Sequence, residues 1–229
     1  MFAHSHTPGH NVCSDPDSTS DVLLEDSYFH VNDDAVAIKA GWDCAGYNGS
    51  DTAPSNNITI RNISVWHGGG GISIGSEMSG GVSNVHVHDV LLQHGSYGLQ
   101  IKTGDTRGGY VQNITINNVR IVGALKNAIR IDSFYGFANP WCPQPTKRVP
   151  PLVSNITIAN THSIRSNLSL HLAGLMDAPT RGVRLVNVSF HDRTFADCYG
   201  GVHGQAVNVT PIPPSECGLT GVKHAARVR

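Results

Sequence analysis

Two series of short alternating segments interleave along this chain of 229 residues, and that interleaving limits what the chain can fold into. The first series runs DVLLEDSYF from Asp21, NITIRNISV from Asn57, NVHVHDVLL from Asn84, NITINNVRI from Asn113, NITIANTHS from Asn155 and VRLVNVSF from Val183. The second runs DDAVAIKAG from Asp33, GGGISIGS from Gly69, YGLQIKTG from Tyr97, NAIRIDSF from Asn127 and NLSLHLAG from Asn167. Alternation of apolar and polar residues is the period of a strand with one buried face. Gly, Asn and Pro punctuate the joins. A common long period shared by two strand series predicts an all-β solenoid, in which every coil gives one strand to each of several stacked parallel sheets. Ala35, Val36, Ile38, Ile72, Ile74, Leu99, Ile101, Ile129 and Ile131 are then the core inside the coil. Lys39, Ser73, Gln100, Lys102, Arg130 and Asp132 point the other way and line an outer surface where a long polymer can lie. An antiparallel sandwich would need hairpin turns between adjacent strands, yet the one Asn-Gly pair, Asn48-Gly49, sits in a loop.

Composition agrees: 25 Gly with only 14% charged and 7% aromatic residues suits short buried strands joined by tight turns. With 16 basic against 17 acidic residues there is no global field to attract nucleic acid or an anionic membrane. No run of about 18 apolar residues is present to span a bilayer. The opening MFAHSHTPGHN lacks the charged start, apolar stretch and cleavage site of a secretory signal. Against that stand sequons at Asn48, Asn57, Asn62, Asn113, Asn155, Asn167, Asn187 and Asn208, which are acceptors only in a secretory compartment. Four of them lie in NIT or NIS strings where Asn starts a strand, so a structural reading stands beside the glycosylation reading.

Five cysteines leave one unpaired whichever bridges form. Cys198 and Cys217 are the expected pair, since both lie in the Gly/Pro-rich tail, where a bridge fixes a segment with little core of its own. Cys13, Cys44 and Cys142 have no CxxC or CxxH spacing, which argues against zinc. His4, His6 and His10 read as a flexible terminus rather than a metal site. The region 192–229 is the expected C-terminal cap of a single domain spanning 1–229, and coils are expected to be missing at the N-terminal end.

The chemistry concentrates at Asp33-Asp34, paired carboxylates entering a strand, followed one and two coils later by GGGGISIGSE and LQIKTG. Stacked coils lie about 4.8 Å apart, so these strings become neighbours. A carboxylate pair facing a basic side chain is what hydrolysis of an acidic sugar polymer requires: an acid for the leaving oxygen, a base for water and a cation for a substrate carboxylate. The glycine run at Gly68–Gly71 precedes a strand and not a helix, which excludes a dinucleotide cradle.

In these strings the sequence resembles glycoside hydrolase family 28, the polygalacturonases and related pectin hydrolases. DPDS at Asp15, NDDAVAIKAG at Asn32, GISIGSEMSGG at Gly71, IKTGDTRGGYVQNITINNV at Ile101 and IDSFYG at Ile131 follow that family's order. The resemblance implies a right-handed parallel β-helix and inverting hydrolysis of α-1,4-galacturonosyl linkages. It further implies a monomer acting on pectic polysaccharide without metal or organic cofactor, secreted or held in the cell wall. It places the family's aspartate pair on Asp33 and Asp34, as general acid and part of the water-activating base. Its substrate-carboxylate lysine falls on Lys102 and its tyrosine on Tyr135.

Three positions depart from the family pattern. Val12 or Cys13 stands where a third aspartate belongs, the family's histidine falls within Gly69 and Gly70, and its arginine is Gln100. Asp15 and His67 are the candidates to replace the missing carboxylate and imidazole. Two alternatives follow: a family member that binds acidic polysaccharide without cleaving it, or a hydrolase for a different pectin such as rhamnogalacturonan, because Gln100 weakens recognition of a carboxylate.

Overall fold

The computed structural model describes residues 2–4, 14–44, 53–136, 142 and 149–222. Val12, Cys13, Asn48, His6 and His10 lie outside the described residues, as does the side chain of His4. The six segments of the first series lie in a sheet of nine parallel strands, in the order β1 (Phe2–His4), β2 (Ser20–His30), β4 (Ser55–His67), β6 (Val82–Gln93), β8 (Tyr110–Val122), β10 (Leu152–Ile164), β12 (Thr180–His191), β14 (Val202–Thr210) and β15 (Leu219–Val222); β1, β14 and β15 are additions to that series. The five segments of the second series lie in a sheet of six parallel strands: β3 (Val36–Ile38), β5 (Gly70–Ile74), β7 (Tyr97–Lys102), β9 (Asn127–Asp132), β11 (Leu168–Gly174) and β13 (Thr194–Gly200), the last from the region expected to be the cap. Successive coils therefore stack as a parallel β-helix.

The core fills the space between the two sheets. Val36, Ile72, Leu99, Ile129 and Leu170 occupy one register level, and Ile38, Ile74, Ile101, Ile131 and Leu172 another, all buried. Each level is a file of apolar side chains one coil apart. The outer surface differs from the open face expected from alternation, because Ser73, Gln100 and Asp132 are themselves buried beneath their neighbours.

The corners explain the asparagines. The long strands bend at residues in the left-handed backbone region, among them Asp21 and Asp26, Asn57 and Asn62, Asn84 and Asp89, Asn113 and Asn118, and Asn155 and Asn160. Asn and Asp tolerate that region better than other side-chain-bearing residues. At the equivalent place in β12 stands Gly182, whose Cβ would lie 2.9 Å from Asn155 Oδ1.

The corner amides also bond from coil to coil. Asn57 Nδ2 donates to Asp21 Oδ1 at 2.6 Å, and Asn113 donates to Asn84 at 3.2 Å. On the second corner Asn62 donates to Asp26 at 2.6 Å, Asn187 to Asn160 at 3.0 Å and Asn208 to Asn187 at 2.7 Å. Partners in the two ladders are separated by 21 to 43 residues, so coil length varies while the corner is kept. Seven of the eight sequon asparagines are described, and each spends its Nδ2 on a neighbouring coil: six on corner partners and Asn167 on the Leu125 carbonyl. The structural reading of the sequons is the one this geometry supports.

Two disulfides tie loops to the solenoid. Cys198–Cys217 joins β13 to the short 3-10 turn Ser215–Cys217, as the sequence indicates. Cys44–Cys142 links segments 98 residues apart and has no counterpart in the sequence reading. Close to it, Arg107 and Asp43 form a buried ion pair at 2.8 Å, and Asp43 N donates to Ser79 Oγ.

Asn187 tests the corner argument, since its amide both donates and accepts in the ladder. Asn187→Ala is expected to cost roughly 2–3 kcal/mol in urea denaturation, from lost hydrogen bonds and a strained left-handed Ala. Asn187→Gly keeps the backbone freedom, so about half of that loss is expected. Equal stability of Ala and Gly variants would contradict the conformational half of the argument.

Candidate active site

The outer face of the six-stranded sheet gathers the candidate site residues because register converts distant strings into rows. Ala37, Ser73, Gln100, Arg130, His171 and Asp197 are consecutive partners on successive coils. Asp15 follows Ser14, which bridges to Val36, and so extends this row by one coil. In a parallel row Lys102, Asp132, Ala173 and Tyr199 are partners.

Asp33 and Asp34 lie in the turn that feeds β3. Asp33 Oδ1 accepts the Asp34 N–H at 2.8 Å, and the Asp33 carbonyl accepts Gly69 N–H at 2.8 Å. Asp33 is half-buried, whereas Asp34 is 4% exposed. The Asp34 carboxylate is held from two coils away: Lys102 Nζ lies 2.8 Å from Oδ2, and Gln100 Nε2 donates to Oδ1 at 3.0 Å. The same Nε2 donates to Ser73 Oγ at 2.8 Å. A buried charge needs this kind of pairing to stay in place.

Gly70 is what admits the network. A Cβ there would stand 2.3 Å from Gln100 Nε2, 2.4 Å from Asp34 Oδ1 and 2.5 Å from Ser73 Oγ. No side chain fits at Gly70 while Gln100 and Asp34 are so placed. The glycine and the glutamine, read separately in the sequence as two lost groups, form one compact arrangement. It has a cost: Gln100 Oε1 is buried with no donor among the described residues.

Tyr135 is brought to the site. Lys102 Nζ lies 5.5 Å from its ring centroid and the Arg130 guanidinium 5.7 Å, within cation–π range. His67 is held differently. Its Nδ1 lies 2.9 Å from the Val31 carbonyl oxygen and its ring meets His30 edge-on at 5.8 Å, on the corner before the aspartates.

Asp15 forms part of a second charged cluster on the same face. Lys39 Nζ bridges Asp15 at 2.7 Å and Glu77 at 2.9 Å. Partial burial, then hydrogen bonding to the two carboxylates, leaves the ammonium with its proton held more tightly than usual, the carboxylates outweighing desolvation. Burial pushes the Asp15 carboxyl up from its ordinary value; Lys39 opposes the shift, and Glu77 and Asp34 add to it. His171 sits between Asp132 and Asp197, which come from the two neighbouring coils.

The profile of glycosyl hydrolases family 28 matches residues 6–206. The chain belongs to glycoside hydrolase family 28. A probable polygalacturonase of Vitis vinifera is 30% identical over 207 residues, covering 87% of this chain and 41% of that protein. A polygalacturonase of Ralstonia nicotianae is 35% identical over 156 residues, covering 66% of this chain and 26% of its own. Among solved structures, an exopolygalacturonase from Thermotoga maritima superimposes with TM-score 0.77 at 27% identity, covering 85% of this chain and 42% of that one. The chain thus spans less than half the length of these family 28 relatives.

Gly70→Ala measures how tightly the network is packed. It is expected to destabilise the protein by about 1–3 kcal/mol through overpacking. Gly136→Ala, whose Cβ meets nothing within 4 Å among the described residues, is expected to stay within about 0.5 kcal/mol. Equal urea midpoints for the two variants would contradict the packing described.

Proposed function

We propose that this face hydrolyses α-1,4-galacturonosyl linkages of polygalacturonate with inversion. The observation that carries the reading is the Asp34–Lys102 pair at 2.8 Å beside Asp33, on an outer sheet face long enough for a polymer. Asp33, the more exposed carboxyl, gives its proton to the glycosidic oxygen as the bond to C1 breaks. Asp34 takes a proton from the water whose oxygen attacks C1 from the opposite side. Each carboxylate oxygen has two lone pairs, so the bonds from Gln100 and Lys102 leave acceptor capacity for that water. Lys102 has three N–H donors and spends one on Asp34, which leaves donors for a substrate carboxylate. Tyr135 flanks the same subsite. Asp15 stands in for the family's third aspartate, anchored by Lys39 within the field of Asp34.

Secretion fits the two disulfides, which persist in oxidising compartments. Among the described residues no helix is long and apolar enough to cross a membrane. Gln100 favours a second reading of the substrate: a neutral amide where a guanidinium is expected reduces the demand for a carboxylate, as in rhamnogalacturonan or a decorated pectin.

Reducing-end release from polygalacturonate by the whole chain checks the proposal. Asp33→Asn and Asp34→Asn are each expected to lower turnover on the order of 10²–10⁴-fold, and Asp15→Asn roughly tenfold. His67→Ala, whose ring is anchored on Val31, is expected to change kcat by less than about threefold. Turnover that survives both Asp33→Asn and Asp34→Asn would contradict the assignment. Polymer binding with no release by the folded protein would favour a non-cleaving family member.

A further inference from the structure

Beyond Lys102 the outer face changes character. Phe134, just after β9, and Tyr199, in β13, are 49% and 46% exposed, and their rings pack at 5.5 Å. Tyr199 also receives the His171 ring edge-on at 5.7 Å. Lys102, Asp132, Ala173 and Tyr199 occupy successive coils of one row. Tyr199 is therefore about 14 Å from Lys102 at ~4.8 Å per coil, and one linear oligosaccharide can reach both.

The charges around this ledge differ from those at Lys102. Arg130 is committed to Asp132, with Nε 3.1 Å from Oδ2 and a closer contact from its terminal nitrogen. Asp132 Oδ1 accepts the Phe134 N–H at 2.7 Å. Asp197 lies beyond them with its side chain 59% exposed, and it pairs with His171 Nδ1 at 3.0 Å. The Tyr199 phenol is pushed above its ordinary value by partial burial, then by Asp132 and Asp197, with Arg130 opposing, as expected of a net negative surrounding. A uronate carboxylate here would face Asp197, and the nearest guanidinium, Arg130, is turned to Asp132 with its plane against Tyr97 and Tyr135. An uncharged pyranose ring would meet flat aromatic surface and a carboxylate able to accept its hydroxyls.

We propose that Phe134, Tyr199 and Asp197 form a subsite for an uncharged sugar ring of the same pectic chain, either a neutral sugar or a methyl-esterified uronate. The inference rests on the reading that the polymer lies along Asp33, Asp34 and Lys102. It makes the substrate mixed: carboxylate at Lys102, uncharged ring three coils on.

The test is calorimetric binding to the full chain carrying Asp33→Asn to suppress turnover. Three oligosaccharides of equal length are compared: unesterified oligogalacturonide, a partly methyl-esterified one, and one alternating galacturonate with rhamnose. One or both of the ligands containing uncharged rings should bind about tenfold more tightly than the unesterified one, and which of them does so identifies the source of the ring. Tyr199→Ala, and independently Phe134→Ala, should remove most of that preference, Tyr199→Phe should keep it, and Asp197→Asn should strengthen binding of the unesterified ligand. Equal or tighter binding of the unesterified ligand, or a preference untouched by both aromatic variants, would overturn the subsite alone. Failure of all three ligands to bind the folded protein would instead overturn the placement of the polymer, and the subsite with it.

Discussion

Everything in this protein depends on coil-to-coil register. Each coil bonds its backbone to the next in parallel, and the corner amides of Asn57, Asn62, Asn113, Asn187 and Asn208 repeat the same link in side-chain form. The ladder fixes where a coil turns without fixing how long it is, so loops of different length can be inserted between conserved levels. That is how Asp34 meets Lys102 across 68 residues of sequence and Gln100 across 66. A slip of one residue in any strand would exchange core and outer face and dissolve the site.

Within that frame the replacements at the site form one packing solution. Removing a side chain at Gly70 opens the space that Gln100 Nε2, Asp34 Oδ1 and Ser73 Oγ fill. The neutral amide takes over part of the hold on Asp34 and leaves Lys102 as the cation bonded to it. Along the sheet each cation stands in its own pairing, Lys39 between Asp15 and Glu77, Lys102 on Asp34 and Arg130 on Asp132, with Asp197 exposed beyond them.

Much of the fold was legible in the sequence because period and burial are local signals. Ile72, Ile74, Leu99 and Ile101 alternate with Ser73, Gln100 and Lys102, and that alternation already separates core from face. Asp33 and Asp34 stood out as candidates from their pairing, and Lys102 and Tyr135 through the family strings. What stayed hidden required three dimensions. The sequon asparagines read as glycan acceptors or strand starts, since nothing local reveals a partner one coil away. Cys44 gave no hint of Cys142 because no short spacing relates them. Nothing local in the sequence pairs His171 with Asp132 and Asp197, which lie in neighbouring coils. Gln100 read as the loss of a charge, and only the absence of room at Gly70 shows that it completes a network.

The central claim is that Asp33 and Asp34 act on opposite sides of a glycosidic bond. Proton NMR of the first product released from a galacturonate oligomer in deuterated buffer tests this most directly, because stereochemistry reports which face the water attacked. The β-anomer appearing before mutarotation is the expected result. First appearance of the α-anomer, or cleavage by β-elimination to an unsaturated product, would contradict the claim.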